Sequence, residues 1–404
     1  MTLDEIKVEV GKYVYMENTS MIDASLACVI ANRMNFGNPV WLVIVGASSG
    51  GKSQLLKPVA LSDSKYMHRV DDITESTFLS GAKVGKDKEA SLLLRIGSSG
   101  MIVISDLTVL FSRNVESRNA TLSQLRMIYD GEMNKVVGNS EKALHWKGHI
   151  GIVAGSTPTI YRHMEEVADM GERFMYWRMH DYDERAATKM AMNRTRHGSD
   201  LDTHIGTLYG DYVRDIVKSG MKPILSDAEM EQIIDIAILA EKMRTVVRAD
   251  RYSKQVEHIP TTAFPMRTAL QLKHIGEALS MMYGGTIGER GMQILRWMGW
   301  SLANEEKRRC LTLLVGQTMA IPTKEVADAI GLDTSVTRQI LQSMSSVGLL
   351  RRSGTGDGLT WVMNDYRDTA LIVSILEGKH DSEITSIRPI TREEMEIVAD
   401  DVPF

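Results

Sequence analysis

The chain has 404 residues, 43% of them hydrophobic and 25% charged, with 47 Lys and Arg against 52 Asp and Glu for a formal net charge of −5. That length predicts two or three domains with ordinary cores, and the mild acidity excludes a globally basic nucleic-acid coat, so any such contact must come from local patches. Two well-separated cysteines, Cys28 and Cys310, suggest neither a disulfide framework nor a zinc site, and no apolar run approaches the roughly 20 residues of a membrane span, so the expectation is a cytoplasmic protein with no membrane partner.

Residues 1–40 read as N-terminal helices packing on the core that follows. The stretch Trp41-Leu-Val-Ile-Val-Gly-Ala-Ser-Ser-Gly-Gly-Lys-Ser-Gln-Leu-Leu56 is a buried-strand pattern running through Gly46-x-x-x-x-Gly51-Lys52-Ser53 into a helix. This is a P-loop in its required setting, and it points to a nucleoside triphosphate. The backbone of Gly46, Ala47, Ser48, Ser49, Gly50 and Gly51 would curl around the phosphates, with Gln54 close behind. Lys52 would neutralise the β and γ oxygens, and the Ser53 hydroxyl would ligate Mg²⁺.

Gly100-Met-Ile-Val-Ile-Ser-Asp-Leu-Thr108 is a continuous apolar run ending in an acid, as expected of a buried parallel strand that delivers a carboxylate to the metal. Asp106 is therefore the Walker B candidate. A helix-patterned segment, Thr121 to Asp130, leads into two short runs around Gly138-Asn139 that read as a β-hairpin. A further buried strand, His149-Ile-Gly-Ile-Val-Ala-Gly155, ends in Ser156-Thr157-Pro158, whose hydroxyls could hold an attacking water. Gly171-Glu-Arg-Phe-Met-Tyr-Trp-Arg-Met179 is the last strand pattern of this region and carries Arg173 and Arg178.

This succession resembles the AAA+ ATPases of the clade with a hairpin before the sensor-1 strand, which includes minichromosome-maintenance helicases and bacterial enhancer-binding activators. It is similar also to ATP-binding proteins of bacteria and phages whose Walker B stretch reads like Ser105-Asp106-Leu107-Thr108. The resemblance implies an α/β P-loop AAA+ core, a parallel sheet flanked by helices, over 41–180. It also implies a helical lid over 181–304, a winged helix over 305–366 and a terminal segment over 367–404.

Carried over by position, Ser156 or Thr157 would be sensor 1, and Arg173 or Arg178 would be the arginine finger that completes a neighbouring subunit's nucleotide site. A surface or core-edge ion pair is the competing reading for each arginine. Lys135 and Lys142 would sit in the hairpin that lines the central channel of the helicases, unless they are ordinary solvated charge. Arginine fingers imply a homo-oligomer, here a hexamer.

Two departures qualify the resemblance. The usual Walker B ends in consecutive acids, the first serving Mg²⁺ and the second polarising water, whereas this chain has Ser105-Asp106. Asp106 therefore fills one office or the other, and hydrolysis is expected to be slow. The Gly-Ala-Phe-Thr-Gly-Ala loop of the enhancer-binding activators is replaced by Phe78-Leu-Ser-Gly-Ala-Lys-Val-Gly-Lys-Asp-Lys88, which argues against a transcription role.

From Asp181 to Asn304 the helical period dominates. Ser226 is a good N-cap for the helix that follows it, and Pro265 to Ser280 resembles a sensor-2 helix in which Arg267 faces the nucleotide. Residues 305–364 read as three helices and a hairpin, similar to a winged helix. Its third helix would present Ser335, Thr337, Arg338 and Gln342, with Arg351 and Arg352 beside them, to DNA or to a protein partner. The end of the chain, Asp400-Asp401-Val402-Pro403-Phe404, resembles the acidic tip of bacterial single-stranded DNA-binding proteins and would dock host replication proteins if it is not a solvated tail.

The leading expectation is an ATP- and Mg²⁺-dependent oligomeric DNA motor, a replicative-type helicase or translocase of a bacterial, phage or mobile-element system. A nucleotide-switched loader or initiator, and a protein acting on the host replisome through its tail, are the alternatives.

Overall fold

The computed structural model describes residues 1–48, 50–80, 83–84, 88–89, 91–136, 144–163, 173–179, 183–194, 198–247, 262–317 and 319–378. Helices α1 (Leu3–Gly11) and α2 (Ser20–Met34) lead into β1 (Trp41–Val45) and α3 (Lys52–Leu61). Then come β2 (Met67–Val70), the two-residue strands β3 (Lys83–Val84) and β4 (Lys88–Glu89), α4 (Leu92–Ile96) and β5 (Ser99–Ile104). Helices α5 (Thr108–Phe111) and α6 (Val115–Tyr129), the antiparallel pair β6 (Glu132–Lys135) and β7 (Leu144–Lys147), and strands β8 (His149–Ser156) and β9 (Phe174–Arg178) follow.

Five of these strands form one sheet in the order β2-β5-β8-β1-β9, every pairing parallel. Helices cover its faces, so β1 is buried at all five positions and β8 at seven of eight. The apolar runs noted in the sequence are this two-sided burial. The order also inserts β8 between β1 and β5, which brings the carboxyl end of β8 between the P-loop and the strand of the Walker B candidate. The register aligns Val45 with both Ser156 and Arg178.

The N-terminal helices belong to the same body. Helix α2 packs against β8 and β5; it is pinned by Asn32, whose amide donates to the Val40 carbonyl at 2.9 Å and whose Oδ1 accepts the Val40 N–H at 3.0 Å. Helix α1 is joined to it through Lys7 and Asp23, a fully interior ion pair at 2.5 Å.

Beyond the sheet, α7 (Glu184–Arg194), α8 (Gly198–Lys218), α9 (Asp227–Arg244), α10 (Met266–Met282) and α11 (Gly288–Trp300) fill the expected helical region. Ser226 and Glu229 close a capping box at the start of α9. The region is not one lid, however. Helix α8 lies along α3 and α2 as part of the sheet's helical layer, and a side chain at Gly210 would come within 2.1 Å of the Ser62 carbonyl oxygen. Helices α9, α10 and α11 pack on one another, with α10 against α2 and α11 against β9.

The last part holds α12 (Glu305–Val315), α13 (Thr323–Ile330), α14 (Thr334–Ser346) and α15 (Tyr366–Glu377) with a three-stranded antiparallel sheet. Its strands are β10 (Ile321–Pro322), β11 (Leu350–Ser353) and β12 (Thr360–Met363), in the order β10-β12-β11. Trp361 is wholly buried there and donates from Nε1 to Thr323 Oγ1 at 2.8 Å. Helix α15 closes back on α12, and Asp368 binds Lys242 of α9 at 2.8 Å. Both cysteines are buried free thiols. Among the described residues no helix is long and apolar enough to cross a membrane.

Candidate functional site

The P-loop leaves β1 at the carboxyl edge of the sheet and enters α3 at Lys52, with Gly51 at φ +85° as the residue before the helix. That left-handed backbone explains a glycine at this position. A second glycine answers a contact: a Cβ on Gly46 would meet the Met179 sulfur at 2.6 Å. Gly46 N–H donates to the Ser156 carbonyl at 3.1 Å, so loop and β8 are joined directly.

Lys52 is buried, and its ammonium donates to the carbonyls of Gly46 at 2.8 Å and Ala47 at 2.6 Å. Burial pulls its pKa down, and the nearby Asp106 carboxylate opposes that shift. Ser53 is exposed at the first turn of α3, and Gln54 is half-buried behind it. Ala47, Ser48, Gly50, Gly51 and Gln54 all border the same cavity; Ser49 lies outside the described residues.

Asp106 follows β5, and its Oδ1 accepts the Thr108 N–H at 2.9 Å. The Thr108 hydroxyl lies 3.3 Å from both Ser156 Oγ and Thr157 Oγ1 and accepts the Thr157 N–H at 3.1 Å. Thr108 thus ties the Walker B candidate to both sensor-1 candidates, a role not assigned to it from sequence. Ser105 donates its hydroxyl proton to Asp71 Oδ1 at 2.5 Å. This hydrogen bond, and after it the one from Arg69, holds the Asp71 carboxyl below the usual range. Asp71 was missed because β2 is short and follows no motif.

Ser53, Ser105 and Asp106 offer hard oxygen donors, which suit Mg²⁺: that ion keeps several waters and takes one or two carboxylates beside substrate phosphates. Among the described residues no three His, Cys, Asp or Glu are grouped to hold a metal unaided.

A cavity of about 470 Å³ opens beside the loop, between the α1–α2 connection and α7. Tyr13, Tyr15, Met16, Trp177 and Met179 line it with aromatic and thioether surface. No sequence signal marks this wall, because Tyr13 to Met16 lie far from the P-loop along the chain and precede it without a motif.

Arg267 departs from the expected arrangement, and Arg173 and Arg178 are each held in an ion pair within the chain. Arg173 stands at the amino end of β9, beside the start of β1, and at about 3.3 Å per residue it is roughly 20 Å from its own P-loop. It is buried and bonded twice to Asp130, at 2.8 and 3.0 Å. Arg267 does not face the P-loop of its chain. It lies 5.8 Å from the centre of the Tyr129 ring, which Arg173 also approaches at 5.2 Å, so the two arginines share the far end of the sheet.

Arg178 reaches the P-loop edge, but its guanidinium pairs with Glu305 at 2.5 Å. Its N–H donates to Ser301 Oγ at 3.1 Å, and its carbonyl accepts from Trp297 Nε1 at 2.8 Å. It joins β9 to α11 and α12 rather than standing clear as a finger.

Among the proposed nucleic-acid contacts, Arg351 and Arg352 are exposed on β11 and Arg338 is half-buried on α14. Thr337 is not presented outward, since it is fully buried. Lys135 is engaged within the chain, its ammonium donating to the carbonyls of Glu75 at 3.1 Å and Leu79 at 2.8 Å. Lys142 and the tail from Asp400 through Asp401, Val402, Pro403 and Phe404 lie outside the described residues. No protein-family model and no curated protein sequence matches the chain.

Proposed function

We propose that the protein binds and hydrolyses ATP, and that its working form is an oligomer acting on DNA. One observation carries this reading: a P-loop whose lysine, Asp106, Ser156 and Thr157 converge on one edge of a parallel sheet. An incoming triphosphate would take Lys52 from the two carbonyls it now holds. The loop N–H groups would cradle the phosphates, and Ser156 or Thr157 would orient water. Mg²⁺, held by Ser53 and Asp106, would neutralise phosphate charge. The base and ribose would occupy the Tyr13 to Met16 cavity, whose apolar wall suits a planar ring.

Arg173 and Arg267 lie together and away from their own loop, which leaves an adjoining subunit's nucleotide as their target; Arg173 would have to exchange Asp130 for it. This agrees with the resemblance to AAA+ ATPases of the hairpin-bearing clade, and with a hexameric ring as the assembly. Helices α12, α13 and α14 and the small sheet support a winged helix, whose Arg338, Arg351 and Arg352 would contact DNA while Lys142 would serve a channel hairpin. The acidic end at Phe404 would recruit host replication proteins. The preferred form is a replicative-type helicase or translocase.

The Ser105-Asp106 pair favours a second reading, a loader switched by slow turnover. Two measurements test these readings. Lys52→Ala should abolish ATP turnover and leave the fold intact; retained turnover rejects ATP hydrolysis at this site. Strand displacement on forked DNA with ATP, absent with an uncleavable analogue, selects the motor, whereas its absence with ATP leaves the switch.

A further inference from the structure

Ser105-Asp106 stands where the usual Walker B carries two adjacent acids, and a carboxylate from beyond the neighbouring strand reaches the serine. Asp71, just beyond β2, accepts the Ser105 hydroxyl at 2.5 Å, and Arg69 orients the same carboxylate oxygen through Nε at 3.1 Å and Nη2 at 2.9 Å. A serine hydroxyl has a single proton. With that proton committed to Asp71, the Ser105 oxygen can only accept, and a charge-assisted bond enriches it in electron density. A free serine would rotate between donor and acceptor.

We propose that Asp71 is a positioning residue that acts through Ser105 in place of the missing acid. It fixes the Ser105 oxygen as an obligate acceptor beside Asp106, where it would accept a hydrogen bond from a water in the shell of the triphosphate and its Mg²⁺. No proton changes owner; the carboxylate only sets the direction of the hydroxyl. Division of labour follows: Asp106 serves the cation directly, and the Ser105–Asp71 pair orders the water around it. This inference rests on ATP being the ligand of the P-loop.

The test uses the full chain with D71N, S105A and the double variant D71N/S105D, which moves the carboxylate from one strand to the next. Asp71 is 65% exposed, so folding should be retained, and thermal unfolding checks it. Affinity for a fluorescent ATP analogue should stay within about twofold of the parent for D71N, while Mn²⁺ retention in the protein–ATPγS complex, read by electron paramagnetic resonance, weakens by about tenfold. Turnover should fall by about 10–100-fold in kcat with KM little changed. S105A should match D71N in both readouts, and D71N/S105D should recover Mn²⁺ retention and part of kcat.

Parent-like Mn²⁺ retention and kcat in D71N, or no recovery in the double variant, overturns the proposal. Should the parent itself fail to bind the analogue, ATP is not the ligand and both readings fall. If Lys52-dependent turnover persists while D71N is silent, only the Asp71 proposal falls.

Discussion

Arg173 and Asp130 form a two-bonded ion pair in which the guanidinium is 2% exposed and the carboxylate 54%. Within the single chain the pair stores a cation far from that chain's P-loop. If the adjoining subunit's nucleotide claims it, Arg173→Ala should keep ATP binding and lose turnover by about 10³-fold or more. Mixing this variant with Lys52→Ala, which is also inactive, should regenerate a fraction of parental activity, because some interfaces then combine an intact loop with an intact arginine. Phosphate release measured across mixing ratios checks this, and a flat zero line would place the arginine's role within its own chain.

The interior pair of Lys7 and Asp23 makes a stability prediction. Asp23 accepts from Tyr283 at 2.5 Å as well, and Arg290 lies 3.3 Å away, so one carboxylate binds α1, α2 and the segments around α11. Asp23→Asn leaves the buried Lys7 ammonium uncompensated, while Arg290, 32% exposed, keeps its pair with Asp4 at 3.0 Å; the change should cost about 3–5 kcal/mol in urea unfolding. Lys7→Met with Asp23→Leu should cost less than the single change, since no orphan charge remains.

Lys307 supplies a pH dependence. Its ammonium donates to the carbonyls of Met243 and Thr245, both at 2.8 Å, and burial lowers its pKa to about 8 from 10.5. Between those values the unfolded chain binds more protons than the folded one, so this group adds stability as pH rises. Below pH 8 both states are charged and the burial penalty is complete. Relative to Lys307→Met, the parent should therefore gain about 1–2 kcal/mol between pH 7.5 and 9.5, read by urea unfolding at each pH. A constant difference across that interval would show that Lys307 keeps its ordinary pKa.

Arg351 and Arg352 stand exposed side by side on β11. If they meet phosphates, replacing both with Ala should weaken duplex binding and lower the slope of log affinity against log salt by about 2. Fluorescence anisotropy from 50 to 200 mM salt gives the slope directly. An unchanged slope would assign this face to protein contact.

The sheet was legible because burial on both faces forces unbroken apolar runs, and each run ends in a chemically distinctive residue: Gly46, Asp106 or Ser156. Helices α9 and α10 were legible from a cap and a regular stripe. What stayed hidden was contact across the chain. Nothing adjacent to Asp71 announces that Ser105 bonds to it, and Tyr13 becomes a pocket wall only when α2 folds over the sheet. The arginines' partners stayed hidden for a related reason: a motif gives strand position, whereas the side chain's partner, Asp130 for Arg173 or Glu305 for Arg178, is set by packing. Helix α8 read as lid because periodicity reports an apolar face without saying which neighbour covers it.

The lysine that would greet a phosphate already has company in the carbonyls of Gly46 and Ala47. Entry of a ligand is therefore a swap of partners and not the filling of a void. Short polyanions that satisfy Lys52 alone should gain little, since they surrender two good bonds for one. A full nucleotide would also recruit the aromatic wall and the loop amides, so selectivity for size would be built into the resting loop itself.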